Sequence, residues 1–439
     1  MIHRSILFAS LALMTIPGRA RAEDGKLDIS LEIRARLEAI GGQFRPAPAP
    51  GSDHALLLRA DLFAEYDAGP IRIGGEVVDA RAYFERRNSS TGTTEVNALE
   101  PLQAYVATDI STTAMAKAGR FVLNLGSRRL IARNNFRNAI NGFTGIEGVF
   151  GTDRLGATGF WTVAQTRLPN DSGGIRDNRI VLDRERGSPH LFGLFTHGKT
   201  PLGTVEAYGY RLAENDSRDI LTRNRHLWTD GARLIRSPAA HAWDYEVEAM
   251  AQGGHARATA AASDRTDLPV AAGNVHATIG RSLPGAWKPR LALMGDYASG
   301  QRSGRRLTRF DTLYGARVFE FGPTSLFGAV QRANLVSVEL FGEVKPDTRS
   351  DLSASIRPLF LASATDSFAT TGVIDRTGAA GTHAGTEIEA RYRRFLVPDK
   401  LRVSVGGAFL AKGRFLREAA NAPATGDTTY GFVEVTETF

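Results

Sequence analysis

The sequence contains no cysteine. An exported chain without disulfides must draw its stability from another source, such as closed backbone hydrogen bonding. It also lacks any run of the roughly 18 apolar residues that a spanning helix needs. The apolar stretch Ile6–Ile16 is too short for one. A helical inner-membrane protein is therefore excluded. No G-x-S-x-G elbow and no paired-histidine motif stands out, which argues against an outer-membrane hydrolase. The nine histidines are scattered. His190 with His197, and His241 with His255, read as surface or girdle residues rather than metal ligands. Acidic loops such as ENDSRD lack a calcium-ligand spacing. No cofactor or metal is expected.

A strong charge excess is missing as well. The formal net charge is +7, but His3 and Arg4, the apolar run and Ala20-Arg21-Ala22 have the layout of a secretory signal peptide. Residues 1–22 are read as that signal and residues 23–439 as the mature domain. Without Arg4, Arg19 and Arg21, 51 basic residues face 47 acidic ones. Nucleic acid is a poor partner for that balance in an exported chain.

What is present is alternation. In Leu27–Glu38, LDISLEIRARLE, the odd positions are Leu, Ile, Leu, Ile, Ala and Leu, and the even ones are charged or serine. Successive strand side chains point to opposite faces, so one face is apolar and the other polar. A half-buried soluble strand fits that pattern. So does a barrel strand with lipid on one side and a watery lumen on the other.

The pattern recurs in Ala55–Asp67, Ile71–Tyr83, Leu99–Ile110, Met115–Leu125, Asn141–Phe150 and Asp153–Thr166, and continues to Thr428–Phe439. About 18 strands result, an even number typical of bacterial outer-membrane barrels. Long links follow odd-numbered strands and short turns follow even-numbered ones. A soluble sandwich has no reason to sort its loops this way. The expected fold is all-β: a transmembrane antiparallel β-barrel with short periplasmic turns and long extracellular loops. A barrel of roughly 16–18 strands encloses an aqueous channel unless loops plug it. The terminal Phe439 resembles the assembly signal of such barrels, although Glu437 stands where an apolar residue is usual.

With the apolar positions facing lipid, the lumen receives Glu32, Arg34, Arg36 and Glu38 from the first strand. The second supplies Arg59, Asp61 and Glu65, and the third Arg72 and Glu76. The eleventh adds Asp244, Glu246 and Glu248, the sixteenth Glu387, Glu389, Arg391 and Arg393, and the seventeenth Arg402. Arginine dominates the basic set, and its fork pairs with carboxylates in bidentate fashion. Rings of such side chains set ion preference in pores. Cross-strand pairing of acids with arginines is the simpler account of any single residue. Arg34 and Arg36 are candidate pore-lining cations, with Glu32 and Glu38 as their restraints. The run Ala118–Arg133 carries Arg120, Arg128, Arg129 and Arg133 with no acid, and Arg137 follows. Arg120 falls in a strand. The rest fall in a loop that either folds into the pore mouth or faces lipopolysaccharide.

The run GRFVLNLGSRRLIARNNF resembles a G-R-x-x-x-x-x-G-x-x-R-L segment of the alginate-export family of outer-membrane proteins. HLWTDGARLIRSPAAHAWDYEVEAMAQGG, RFDTLYGARVFEFG, GTEIEARYRRFL and GGAFLAKGRFL resemble further segments of that family, in the same order. The family's frequent Y-P is Tyr314-Gly315 here. The resemblance implies an 18-stranded barrel that passes an anionic uronic-acid polysaccharide through an arginine-rich constriction. By similarity, Arg34 or Arg36, Arg59 and Arg120 would stand at that constriction. The expected function is an outer-membrane channel for anionic solutes. An uptake porin for small organic acids is the alternative, ahead of an adhesin or an enzyme. Expected partners are outer-membrane lipid and lipopolysaccharide, the solute, and the barrel-assembly machinery at Phe439, with the barrel monomeric.

Overall fold

The structure, a computed structural model, describes residues 26–439 apart from 186–188, 218–219 and 319. The signal-peptide reading of residues 1–22 lies outside them. The alternating segments form 18 strands. These are β1 (Leu27–Gly41), β2 (Ser52–Asp67), β3 (Ile71–Tyr83), β4 (Asn97–Ser111), β5 (Ala114–Phe121) and β6 (Phe143–Gly151). Then come β7 (Leu155–Ala164), β8 (His190–Thr200), β9 (Gly203–Ala213), β10 (His226–Arg236), β11 (Trp243–Ala256) and β12 (Leu268–Ser282). The last six are β13 (Arg290–Ala298), β14 (Leu335–Val344), β15 (Ser350–Phe360), β16 (His383–Val397), β17 (Leu401–Lys412) and β18 (Thr428–Thr438).

Each strand pairs antiparallel with its sequence neighbours, and β1 also pairs with β18. Ala35 lies opposite Val435, and the Phe439 N–H donates to the Leu31 carbonyl at 2.9 Å. Closure leaves no sheet edge, which is what a lipid environment demands of a β-structure. The outward positions form an apolar belt that includes Leu37, Leu62, Ile73, Val106, Ile146, Val247, Leu293, Leu340, Ile388 and Val433. Among the described residues no helix is long and apolar enough to cross a membrane, so crossing falls to the strands.

Several strands end earlier than alternation predicts. β5 stops at Phe121 rather than Leu125, and β7 spans Leu155–Ala164 rather than Asp153–Thr166. The physical reason lies inside the barrel. Leu123 and Leu125 leave the wall and are buried in an apolar core within the lumen. That core is built on the long-loop side from Phe121 and Phe143 of the wall and from Phe44, Phe310, Phe321, Phe327, Phe368 and Phe415 of the loops. Each of these rings is at most 2% exposed. Burying a phenylalanine is worth roughly 1.5–3 kcal/mol.

Two of the inward loops are residues 122–142 and 299–334. They meet in a parallel bridge between Ile131 and Tyr314. The Tyr314 N–H donates to the Leu130 carbonyl and the Ala316 N–H to the Arg128 carbonyl, both at 2.9 Å. A Cβ at position 315 would overlap the Arg129 carbonyl oxygen. Glycine at 315 is therefore what lets the two loops pair.

Candidate functional site

The lumen wall and the inward loops are joined chiefly by arginine. On β1 and β2, Arg34 and Arg59 are register partners. Arg34 donates to the carbonyls of Asn135 and Arg137, both at 2.8 Å. Arg59 donates to the same two carbonyls at 2.9 and 3.2 Å, and pairs with Glu32. Arg36 instead donates to Glu434 of β18 at 2.8 and 2.5 Å and reaches Glu38 at 3.4 Å. Its guanidinium lies 4.0 Å from the ring centroid of Phe136, a loop residue. The expected restraint of this arginine pair by Glu32 and Glu38 is thus redistributed. Glu38 serves Arg36, whereas Glu32 serves Arg59.

The 122–142 loop answers with arginines of its own. Arg133 donates to Asp61 of β2 and Glu76 of β3, at 2.7 Å each. Arg129 pairs with Glu246 and Glu248 of β11, and with Glu320 at 2.9 Å. Ser127 adds a 3.0 Å hydrogen bond to Glu248. The loop therefore spans the lumen from β1–β3 to β11. Burial alone would lower the Arg129 guanidinium, but Glu248 and Glu246 outweigh it and hold the group above its ordinary range.

The remaining predicted residues sit elsewhere in the lumen. Arg120 pairs with Glu100 of β4 at 2.6 Å and with Glu185 at 2.5 Å. Near the short-turn end, Arg72 pairs with Asp109 at 2.7 Å. There too Arg393 and Arg391 approach Asp351 at 3.0 and 4.0 Å. Below the loops lies a cavity of about 460 Å³, lined by cations and acids together, among them Arg233, Arg290, Arg391, Asp244, Glu246 and Glu339. Arg34, Arg36, Arg59, Arg72, Arg120, Arg129, Arg391 and Arg393 thus each have a carboxylate or carbonyl partner.

A different set lacks carboxylate partners. Arg45, Arg137, Arg167 and Arg317 stand on four loops, and none forms an ion pair with the described residues. Arg317 donates to the Gly328 carbonyl at 2.9 Å, and Arg45 to the carbonyls of Leu326 and Phe327. Burial, then Arg167, then Arg317 pull the Arg137 guanidinium down to about 9. Burial pulls Arg317 down to about 10. The acid-free run ending in Arg133 and Arg137 was a sequence signal for part of this set. Arg167 and Arg317 carried none, because both lie in links outside the alternating strands. No group of three or more metal-ligating side chains occurs among the described residues.

A closed 18-strand antiparallel barrel with an apolar outer belt and a charged lumen is an outer-membrane channel of a Gram-negative bacterium. Residues 26–428 match the alginate export family, and the chain belongs to that family. No curated protein matches the sequence. Among solved structures, Acinetobacter baumannii OccAB1 is similar with a TM-score of 0.59 at 11% identity, over 96% of this chain and 98% of that one. Pseudomonas aeruginosa OccK2 (OpdF) in complex with glucuronate is similar with a TM-score of 0.59 at 12% identity, over 96% and 100%. Pseudomonas aeruginosa OccK11 (OpdR) gives 0.56 at 14% identity, over 94% and 96%. At these identities the likeness is one of fold.

Proposed function

We propose that the channel passes anionic solutes, with an acidic polysaccharide of the alginate type as its specific cargo. The observation that carries this reading is the group of loop arginines inside the barrel, Arg137, Arg167 and Arg317, that form no ion pair with the described residues. Cations without counter-charges in a confined space attract anions. Family membership supports the polysaccharide. In this reading the belt faces lipid and lipopolysaccharide, Phe439 is read by the assembly machinery, and one chain makes one channel. Reversal potentials in planar bilayers under a salt gradient test it. Anion preference is expected; cation preference or a non-conducting barrel overturns it.

A second reading, uptake of small organic acids, is favoured by the apolar core that the inward loops build in the lumen. The cavities beside that core measure about 260 and 460 Å³, the scale of small molecules. Liposome flux of glucuronate against a polyuronate separates the two. Flux of the monomer alone selects the second reading.

A further inference from the structure

The wall of β7 continues past Ala164 into the barrel. The Gln165 N–H donates to the Gly142 carbonyl at 3.0 Å, and Thr166 forms an antiparallel bridge with Arg184. The chain is therefore extended here, and Gln165 and Arg167 point to the same side. They face a cavity of about 260 Å³ that Thr93, Asn141, Asn170 and Tyr314 also line. Asn170 is exposed, so the cavity lies against solvent.

The polar groups in this cavity are incompletely used. Gln165 is 8% exposed, and neither end of its amide has a hydrogen-bond partner among the described residues. Arg167 makes one hydrogen bond, from Nη1 to the Asn141 Oδ1 at 2.5 Å, and its buried Nε has none. Asn141 is itself fixed, donating from Nδ2 to the carbonyls of Ala132 and Tyr314 at 2.9 and 3.0 Å. Arg167 is thereby held in place with most of its donors unspent. A Cβ at Gly142 would overlap the Gln165 side chain, so glycine there makes the room. Buried polar groups normally find partners, and a cluster without them marks a place for a ligand.

We infer that this cavity binds a hydroxylated carboxylate of monosaccharide size, a sugar acid. Its carboxylate takes the free edge of the Arg167 fork, and its hydroxyls take the Gln165 amide and the Thr93 and Asn170 side chains. The volume falls below the ~300–1,000 Å³ typical of drug-sized ligands, which fits one sugar ring. Arg137, crowded by Arg167, adds positive potential, with Glu95 as the opposing acid and no ion pair formed with the described residues. The role of the site, capture of solute on the long-loop side, rests on the anion-channel reading; its existence does not.

Titration calorimetry on the full barrel in detergent tests the site, with glucuronate as probe and glucose and acetate as controls. Saturable glucuronate binding is expected; glucose, which loses the charge-assisted contact, and acetate, which loses the hydroxyl contacts, should each bind weaker by about tenfold or more. Arg167→Gln should weaken glucuronate by a similar factor. Gln165→Ala removes a side chain that forms no protein hydrogen bond, so it should weaken binding several-fold with the unfolding temperature unchanged. Absence of saturable binding, or full binding by both variants, overturns the inference. Reversal potentials on the same preparation separate the two ideas. Anion preference without glucuronate binding discards only the site, and binding with cation preference discards only the channel reading.

Discussion

Arg34 and Arg59 lie opposite each other on β1 and β2 and donate to the same carbonyl oxygen, that of Asn135, at 2.8 and 2.9 Å. Like charges in register are ordinarily unfavourable. Here both are spent on holding one loop across the lumen, with Glu32 paired to Arg59 and Glu434 3.9 Å from Arg34.

Replacing both by alanine should free the 122–142 loop. Each lost charge-assisted hydrogen bond is worth roughly 1.5–3 kcal/mol of anchoring. Larger single-channel conductance and new protease cleavage within the loop are expected. Conductance and cleavage identical to the parent would show that the clamp does not hold the loop.

Arg129→Ala should be more damaging. It leaves Glu246, Glu248 and Glu320 facing one another without their common cation. Breaking a buried pair by removing one partner costs roughly 3–5 kcal/mol. A lower unfolding temperature is expected, with partial recovery when Glu248→Gln is added. A double variant no more stable than the single one would argue against the charge explanation.

Gly315→Ala probes the contact between the two inward loops. The added methyl meets the Arg129 carbonyl, and overpacking of this kind costs roughly 1–3 kcal/mol. Spin labels on the two loops should report a wider separation. An unchanged distance distribution would remove the close approach as a constraint.

Asp183 in the 165–189 loop makes a pH prediction. Burial, and then Glu100, push its carboxyl up to about 7. Arg167 and the Asn97 amide oppose the shift, with Asn97 donating to Asp183 at 3.1 Å. A carboxyl raised above its unfolded value binds its proton more tightly when folded. Its contribution is full below about pH 4 and falls as pH rises through about 7. Amide protection factors in this loop, which remove the intrinsic pH dependence of exchange, should therefore be larger at pH 5.5 than at pH 8. Asp183→Asn should flatten the difference; a pH response of equal size in that variant would assign it to another group.

Much of the barrel was legible because its signal is local. The pleat sends Leu31 and Arg34 to opposite faces whatever the rest of the chain does. The strand number, the sorting of long and short connections and the pairing of β1 with β18 all followed from that alternation. The strand ends did not follow in β5, because Leu123 and Leu125 keep the apolar rhythm while serving a different core.

The lumen was legible only as composition. That Arg34, Arg36, Arg59 and Arg120 face inward could be read from alternation, whereas for Arg129 the basic run left the pore mouth and the lipopolysaccharide side both open. What each one binds could not be read. Arg36 meets Glu434 across 398 positions of sequence, and Arg34 meets Asn135 across 101.

Alternation alone therefore determined a closed, apolar-belted barrel with a charged interior, since each residue's face is set by its immediate neighbours. Tertiary structure decided which charges remain for a solute. Ring closure and the inward fold of the 122–142 and 299–334 loops bring acids and carbonyls to the wall arginines, and leave Arg137, Arg167 and Arg317 without an ion pair among the described residues. Coulomb pairing depends on distances of a few ångströms between remote segments, and only the closed barrel sets those distances.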